Sequence, residues 1–329
     1  MIYNAAGLRR VDAIIWATVA CVAVLVAVAA VFGDFKVVPE TYIAPASICL
    51  LLMLGAYYYR DRRDDHKLAS ALESTAQLIA FVAVGAPLSY VAATSSLPLQ
   101  DAALARLDQA LGFDWIGLLA FMHRWPGFFS LLHLVYPTLT LQMVATVLLL
   151  SFTERQSWLR TYMLAFIFAA LITIAISAFV PAEGAWLHYG ITDDASAMPI
   201  SHTSWPVFFG LRDGSLRLLT AVGTEGIITF PSLHAALAVL LVAALWPVPF
   251  ARWVAVAVNS LMLVATPIDG SHYLVDILAG IGIAALSFAA ALALMTRVAM
   301  PAGRYRDPLR AGPWGHPAGR RLTVGPVRK

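Results

Sequence analysis

The chain has 329 residues, 60% of them hydrophobic and only 12% charged, with a mean hydropathy of +0.77. That balance excludes an ordinary water-soluble domain. The formal net charge of +3 is too small to imply a nucleic-acid partner.

Eight apolar stretches approach or exceed the roughly 18 to 20 residues needed to cross a bilayer: residues 11–32, 42–59, 71–94, 127–152, 161–182, 232–249, 252–268 and 272–296. The expectation is an all-α integral membrane protein with about eight transmembrane helices. The short alternating strands of a β-barrel are absent from the sequence. The first stretch follows Arg9 and Arg10 and ends near "VAVAAVFG", a pattern shared with secretory signals. Its length and the spans that follow favour an uncleaved helix. Cys21 and Cys49 fall inside the first two spans and read as packing residues, with no disulfide framework or metal cluster implied.

Residues 95–126 carry too many charges to cross. Leu104, Leu107 and Leu111, then Trp115, Leu118, Leu119 and Met122, recur at helical spacing. They predict two interfacial helices, the second capped by Asp114. His123 and His133 flank the start of the fourth span and read as interfacial anchors. Within that span Tyr136 and Gln142 are expected to hydrogen-bond between helices, with a substrate-lining role as the alternative. Residues 183–231 form the longest outer segment, and loops of that length are usually functional or disordered. This one contains "GLRDGSLRLL", with Arg212 and Arg217, and also His188 and His202 as candidate headgroup contacts. Trp115, Trp125, Trp186 and Trp205 read as an interfacial belt. His66 and His316 read as solvated. The Pro-, Gly- and Arg-rich tail reads as a disordered cytoplasmic end that touches anionic headgroups.

With the N-terminus inside and the spans alternating, 17 of the 22 basic residues fall on the cytoplasmic side. The other side keeps Lys36, Arg106, Arg124, Arg212 and Arg217. This asymmetry sets the expected orientation.

Two motifs then fall on the same outer face. "FPSLHAA" puts Pro231, Ser232 and His234 at the start of one span, and "DGSHYLVDILAG" puts His272 and Asp276 at the start of the last. His272 and Asp276 are four apart, so on a helix they share a face. A carboxylate so near hydrocarbon needs a partner, and an imidazole N–H is a natural one. His234 and His272 are separated by two crossings and a short turn, which returns both to one depth at two helix N-termini. Free N–H groups and the positive helix ends make an anion site there. Pro231 suits a helix start, and Ser232 adds N–H groups nearby. Arg212 and Arg217 supply guanidinium forks for phosphate oxygens, with snorkelling as the plainer alternative for Arg217.

"GIITFPSLHAA", "DGSHYLVDILAG" and the upstream "LDQALGFDW" resemble the phosphatidic acid phosphatase type 2 superfamily, and within it the branch of inositol phosphorylceramide synthases and their bacterial relatives. The resemblance covers roughly residues 70–298. It implies a six-helix phosphatase-type catalytic core there, with residues 1–69 as two added N-terminal helices and 299–329 as the basic tail. It further implies that His272 is the nucleophile, Asp276 its orienting group and His234 the general acid. Two elements of the usual pattern are missing. No Lys followed six residues later by Arg-Pro stands in the outer region, and Thr266 occupies the place expected for an arginine ahead of the nucleophile. Arg212 and Arg217 are the expected substitutes.

The functional expectation is a metal- and cofactor-independent membrane phosphotransferase acting through a phosphohistidine. It would move an inositol-phosphate-like headgroup between lipids, in a bacterial inner membrane with the site facing the periplasm. Its partners are a phospholipid or lipid-phosphate substrate, a lipid or water acceptor, and the membrane, with no nucleic acid. A lipid phosphate phosphatase uses the same residues with water as acceptor. A metal enzyme built on two histidines and one carboxylate, or a transporter with a proton relay, are the readings of other classes. Oligomeric state is not legible.

Overall fold

The structure, a computed structural model, describes residues 5–191, 199–222 and 226–299. The basic tail expected to be disordered lies outside the described residues from position 300 onward.

In chain order, α1 (Ala5–Phe32), α2 (Glu40–Asp61) and α3 (His66–Ala93) are long. They are followed by the short α4 (Asp101–Ala110) and α5 (Trp115–Arg124). Next, α6 (Pro126–Val135) and α7 (Leu139–Phe152) form one bent rod, and α8 (Gln156–Phe179) crosses back. The outer segment holds α9 (Ala185–His188) and α10 (Trp205–Asp213), before α11 (Leu233–Leu245), α12 (Pro249–Asp269) and α13 (Leu274–Ala299). The bend between α6 and α7 is a single 3-10 turn at Tyr136–Thr138, where Pro137 removes an N–H from the helical ladder.

Among the described residues seven helices are long and apolar enough to cross a membrane, with α6 and α7 counted as one. The eighth expected span, 232–249, is instead the 13-residue α11. At 1.5 Å per residue it is about 20 Å long, short of the roughly 30 Å hydrocarbon layer. Its first turns are packed inside the bundle, with Ala235, Ala236 and Ala238 fully buried. Its N-terminus therefore meets protein rather than headgroups, and the helix has no need to cross the whole layer.

The two ends of the bundle differ in what ties them. At the end where α1 stops and α11 and α13 start, the strands β1 (Lys36–Val37) and β2 (Leu218–Leu219) pair in parallel, Lys36 opposite Leu218. Gln100 N–H reaches Pro181 O at 2.9 Å, and Ala185 N–H reaches Ser271 O at 2.9 Å. At the other end Arg60 pairs with Glu73, and Lys67 Nζ lies 2.9 Å from Glu154. Arg160 grips the buried Asp12 through Nε and Nη2, both at 3.1 Å. That pair docks α1, whose Val11, Ile15, Val19, Val22 and Val26 are buried at helical spacing. By contrast α2 leaves Ile43, Leu50, Leu51 and Leu54 exposed, the face that meets lipid.

The interfacial helices α4 and α5 form as expected, and Asp114 caps α5 by accepting from Gly117 N–H at 2.9 Å. They do more than lie on a surface. Trp115 is buried, and its Nε1–H donates to the carbonyls of Pro267 (3.3 Å) and His272 (3.2 Å). Trp186 is equally buried and donates to Ile268 O at 2.7 Å. The belt reading is therefore corrected for both indoles. They are packed edge to face, with ring centroids 5.5 Å apart, beneath the turn that carries His272. Trp125 is 57% exposed, as the belt reading expects.

Candidate active site

The site is built where α12 hands over to α13. Asp269 ends α12, residues 270–273 make a turn, and α13 begins at Leu274. Gly270 is required by close approach: a Cβ there would meet His272 Cδ2 at 2.5 Å and Tyr136 Oη at 2.6 Å. Ser271 then adopts a left-handed φ of 60°, unfavourable for an L-residue by about 1 kcal/mol or more. Its conformation is held from outside, because Ser271 Oγ accepts from Trp186 N–H at 3.2 Å.

His272 and Asp276 meet as their spacing predicts. Asp276 Oδ2 lies 3.2 Å from His272 Nδ1 and also accepts from Tyr273 N–H at 2.9 Å. Both side chains are buried, at 3% and 0% exposure. A carboxylate accepts only, so the proton between them sits on Nδ1 and Nε2 keeps its lone pair. That nitrogen lies 3.3 Å from Ser232 Oγ.

Ser232 belongs to the neighbouring helix and joins the two motifs. Its Oγ caps α11 by accepting from Ala235 N–H at 3.2 Å, and its own N–H donates to Asp276 O at 3.1 Å. Gly280 makes this contact possible, since a Cβ there would stand 2.3 Å from Ser232 O. The start of α11 thus lies directly on the first turns of α13. Two residues on, His234 stacks against Tyr136, with ring centroids 4.5 Å apart and planes 11° from parallel.

The expectation that both helix N-termini stand free for an anion holds only in part. Asp108, on α4, accepts from Leu274 N–H (2.8 Å) and Val275 N–H (2.9 Å). With Asp276 on Tyr273 N–H, the first amides of α13 are filled by carboxylates. Burial raises the Asp108 carboxyl above the usual range, while the two amides oppose that shift. Only the start of α11 remains open, where Leu233 and His234 N–H have no backbone acceptor among the described residues.

His234 and His272 line one cavity of about 480 Å³. Tyr136, Glu183, Ser201, Ser204 and Thr229 share its polar end. Its other wall is apolar and membrane-deep: Phe81 and Gly85 of α3, Met143 of α7, Phe166 and Ile174 of α8, and Leu237 of α11.

Arg212 and Arg217 are not on that wall. Arg212 donates to the carbonyls of Ser95 (2.8 Å) and Leu97 (2.7 Å) and lies over the Phe208 ring. Arg217 donates to Leu211 O at 2.7 Å and lies over Phe35. Both guanidiniums are taken up by backbone carbonyls, Arg212 tying its segment to residues 95–97 and Arg217 to the preceding helix. Among the described residues no Lys or Arg lines the cavity. His202 Nδ1 bonds Pro199 O at 2.7 Å, and His188 packs beside Tyr189 and Tyr273. His133, expected as an interfacial anchor, instead reaches the fully buried Asp269 at 2.7 Å. Gln142 bridges helices as expected, accepting from Asn259 at 2.9 Å. Among the described residues no three His, Cys, Asp or Glu side chains converge to hold a metal ion.

Sequence reasoning passed over Asp101 and Asp108. Asp101 accepts from Glu183 N–H, Gly184 N–H and Tyr273 Oη at 2.9–3.0 Å. A signal existed: Asp101, Leu104, Ala105 and Asp108 occupy one helical stripe, and all four are buried. Two carboxylates on the apolar face of an amphipathic helix require buried donors elsewhere. Glu183, on the cavity wall, had no such local signal.

A family model described as the PAP2 superfamily matches residues 102–290, a stretch that contains Asp108, Tyr136, Glu183, His234, His272 and Asp276. No curated protein and no solved structure matches the chain. The match spans more than half of the sequence and takes in the whole polar end of the cavity. The chain belongs to the PAP2 superfamily, an all-α membrane protein of the phosphoester hydrolase or phosphotransferase type.

Proposed function

We propose that the protein transfers a phospho-headgroup from one membrane lipid to another acceptor through a phosphohistidine on His272. The observation that carries this reading is the single cavity shared by His234 and His272, polar at the histidines and apolar along the spanning helices. A lipid fits such a space with its phosphate at the imidazoles and its chains against Phe81, Met143 and Phe166.

In the first step the Nε2 lone pair of His272 attacks phosphorus and a P–N bond forms. The P–O bond to the departing lipid alkoxide breaks, and His234 in its protonated form gives that oxygen a proton. Asp276 holds the Nδ1–H tautomer and offsets the positive charge that develops on the ring, the role a carboxylate has in a hydrolase triad. In the second step the acceptor hydroxyl attacks phosphorus, neutral His234 takes its proton, and the P–N bond breaks. Ser232 and the open amides at the start of α11 are suited to the equatorial oxygens, where positioning and electrostatics supply most of the acceleration. Arg212 and Arg217 would join them only by leaving their carbonyl partners. No step needs a metal.

Transfer is preferred here to hydrolysis because an apolar wall suits a lipid acceptor. An inositol-phosphate headgroup, the branch-level reading, is one member of the class. The domain reading that fits is a catalytic core over residues 70–298, with α1 and α2 added to it. The site then lies on the face opposite the basic loops, the periplasmic side of a bacterial inner membrane.

The test is turnover by purified full-length protein against a panel of radiolabelled phospholipids, with and without ceramide or diacylglycerol. His272→Ala should lower turnover by about 10³-fold or more and abolish acid-labile label on the protein. Undiminished turnover in that variant removes the proposal. Label moving to a second lipid supports transfer, and inorganic phosphate released from a monoester supports hydrolysis.

A further inference from the structure

The polar end of the cavity contains a group that phosphate chemistry does not ask for. Among the described residues on its wall, Glu183 is the only Asp, Glu, Lys or Arg. A carboxylate beside a phosphate repels it unless something stands between them.

The position of Glu183 is fixed. Asp101 holds the amides of Glu183 and Gly184 at 3.0 and 2.9 Å, and Ala185 N–H donates to Ser271 O at 2.9 Å. The Glu183 backbone is thereby locked to the residue next to His272. Its half-buried carboxylate receives no hydrogen bond from any described residue. Burial first, and the charge of Asp101 second, raise its carboxyl above the usual range. His188 and Arg212 oppose that shift, but Arg212 has both terminal nitrogens on carbonyls. The Glu183 carboxylate is thus the one formal charge held at this wall among the described residues, and a headgroup entering there is matched to it by hydrogen-bond donors.

We infer that Glu183 forms a headgroup subsite, which accepts hydrogen bonds from a hydroxyl- or ammonium-bearing phospholipid headgroup and disfavours a bare phosphomonoester. The inference rests on the phosphoryl-transfer reading and adds the class of substrate to it. A polyol and an amine present the same donor chemistry to a carboxylate. A phosphatidic acid presents only more negative charge.

The experiment measures kcat/KM of the full-length protein in nanodiscs for phosphatidylinositol, phosphatidylglycerol, phosphatidylethanolamine and phosphatidic acid. Glu183→Gln, which keeps the volume and removes the charge, should lose about 10- to 100-fold on donor-bearing diesters, as for a hydrogen bond to a charged group. The same variant should gain several-fold on phosphatidic acid. The diester with the larger loss identifies polyol or amine as the donor. An equal fall on all four lipids, or no change on any, overturns the subsite, as does a wild-type protein active on phosphatidic acid alone. Should Glu183→Gln fail to fold, Glu183→Asp, which keeps the charge and shortens its reach, decides by the same comparison, with a smaller loss on the same diesters. Wild-type protein inactive on all four lipids counts against phosphoryl transfer itself, and the subsite falls with it.

Discussion

The two ends of the bundle bury charge in opposite ways. At the inner end Asp12 is held by two nitrogens of Arg160, whose Nη1 also donates to Ser70. At the other end the buried carboxylates Asp101, Asp108, Asp269 and Asp276 face amides, imidazoles and a phenol instead of guanidinium groups. Asp276 pairs with His272 and Asp269 with His133, and each keeps one buried oxygen, Oδ1 and Oδ2 respectively, without a partner. A paired and satisfied charge holds helices together. An incompletely satisfied one, paired with an imidazole that can carry or release a proton, is poised to exchange protons and ligands. The Arg160 end reads as an anchor, and the His272 end as the proposed site.

That contrast is open to attack from both sides. The largest effect expected after loss of His272 is at Asp276. Asp276→Asn should lower kcat by about 10³-fold while folded yield is kept, because the amide no longer fixes the Nδ1–H tautomer. At the inner end Arg160→Met leaves Asp12 buried and unpaired, and should destabilise the protein by about 3–5 kcal/mol. Thermal unfolding in detergent reads that loss. The double variant Asp12→Leu with Arg160→Met should recover most of it, and kcat of folded protein should stay near wild type throughout. A fall in kcat in the folded double variant would erase the distinction between anchor and site.

Smaller effects sharpen the outer end. Tyr136→Leu removes the ring stacked on His234 and should lower kcat by about tenfold, with Tyr136→Phe close to wild type if stacking is its role. Asp108→Asn weakens the caps on Leu274 and Val275 and should cost about 1–2 kcal/mol of stability. Arg212→Gln separates its two possible roles. An unchanged KM fits a loop tie, whereas a rise of about tenfold means that the guanidinium leaves Ser95 and Leu97 for the phosphate.

The smallest effect is one of pH. The carboxyl of Glu183 is raised by burial and by Asp101, against His188 and Arg212, so it takes up a proton at higher pH than a free glutamate. As pH falls through that raised value its charge is lost. Preference for donor-bearing headgroups over phosphatidic acid should then weaken while ordinary glutamates are still ionised. The wild-type ratio of kcat/KM from neutral to mildly acid pH reads this, against Glu183→Gln, where that component is absent.

Much of the architecture was legible because its signals are local. A run of about 20 apolar residues declares a span whatever surrounds it. Asp114 and Ser232 declare helix starts by their own side chains, and the four-residue spacing of His272 and Asp276 puts them on one face. The short α11 was misjudged by the same logic, because hydropathy cannot tell a helix that meets lipid at both ends from one that begins inside protein. The tryptophans failed similarly. A belt indole and a buried indole look alike in sequence, and only Pro267, Ile268 and His272 offering their carbonyls tell Trp115 and Trp186 apart from Trp125.

What the sequence determined by itself is therefore the membrane class, the order of the helices and the pairing of His272 with Asp276, all set by neighbours within one or two turns or one hydrophobic run. Tertiary structure decided that His234 lies against Tyr136, that Asp108 caps a helix 166 residues away, that both arginines are held by carbonyls, and that Glu183 stands on the cavity wall. Each of those depends on which buried donor meets which acceptor across the bundle. That choice is made by packing, where every polar group must find a partner or leave one for a ligand.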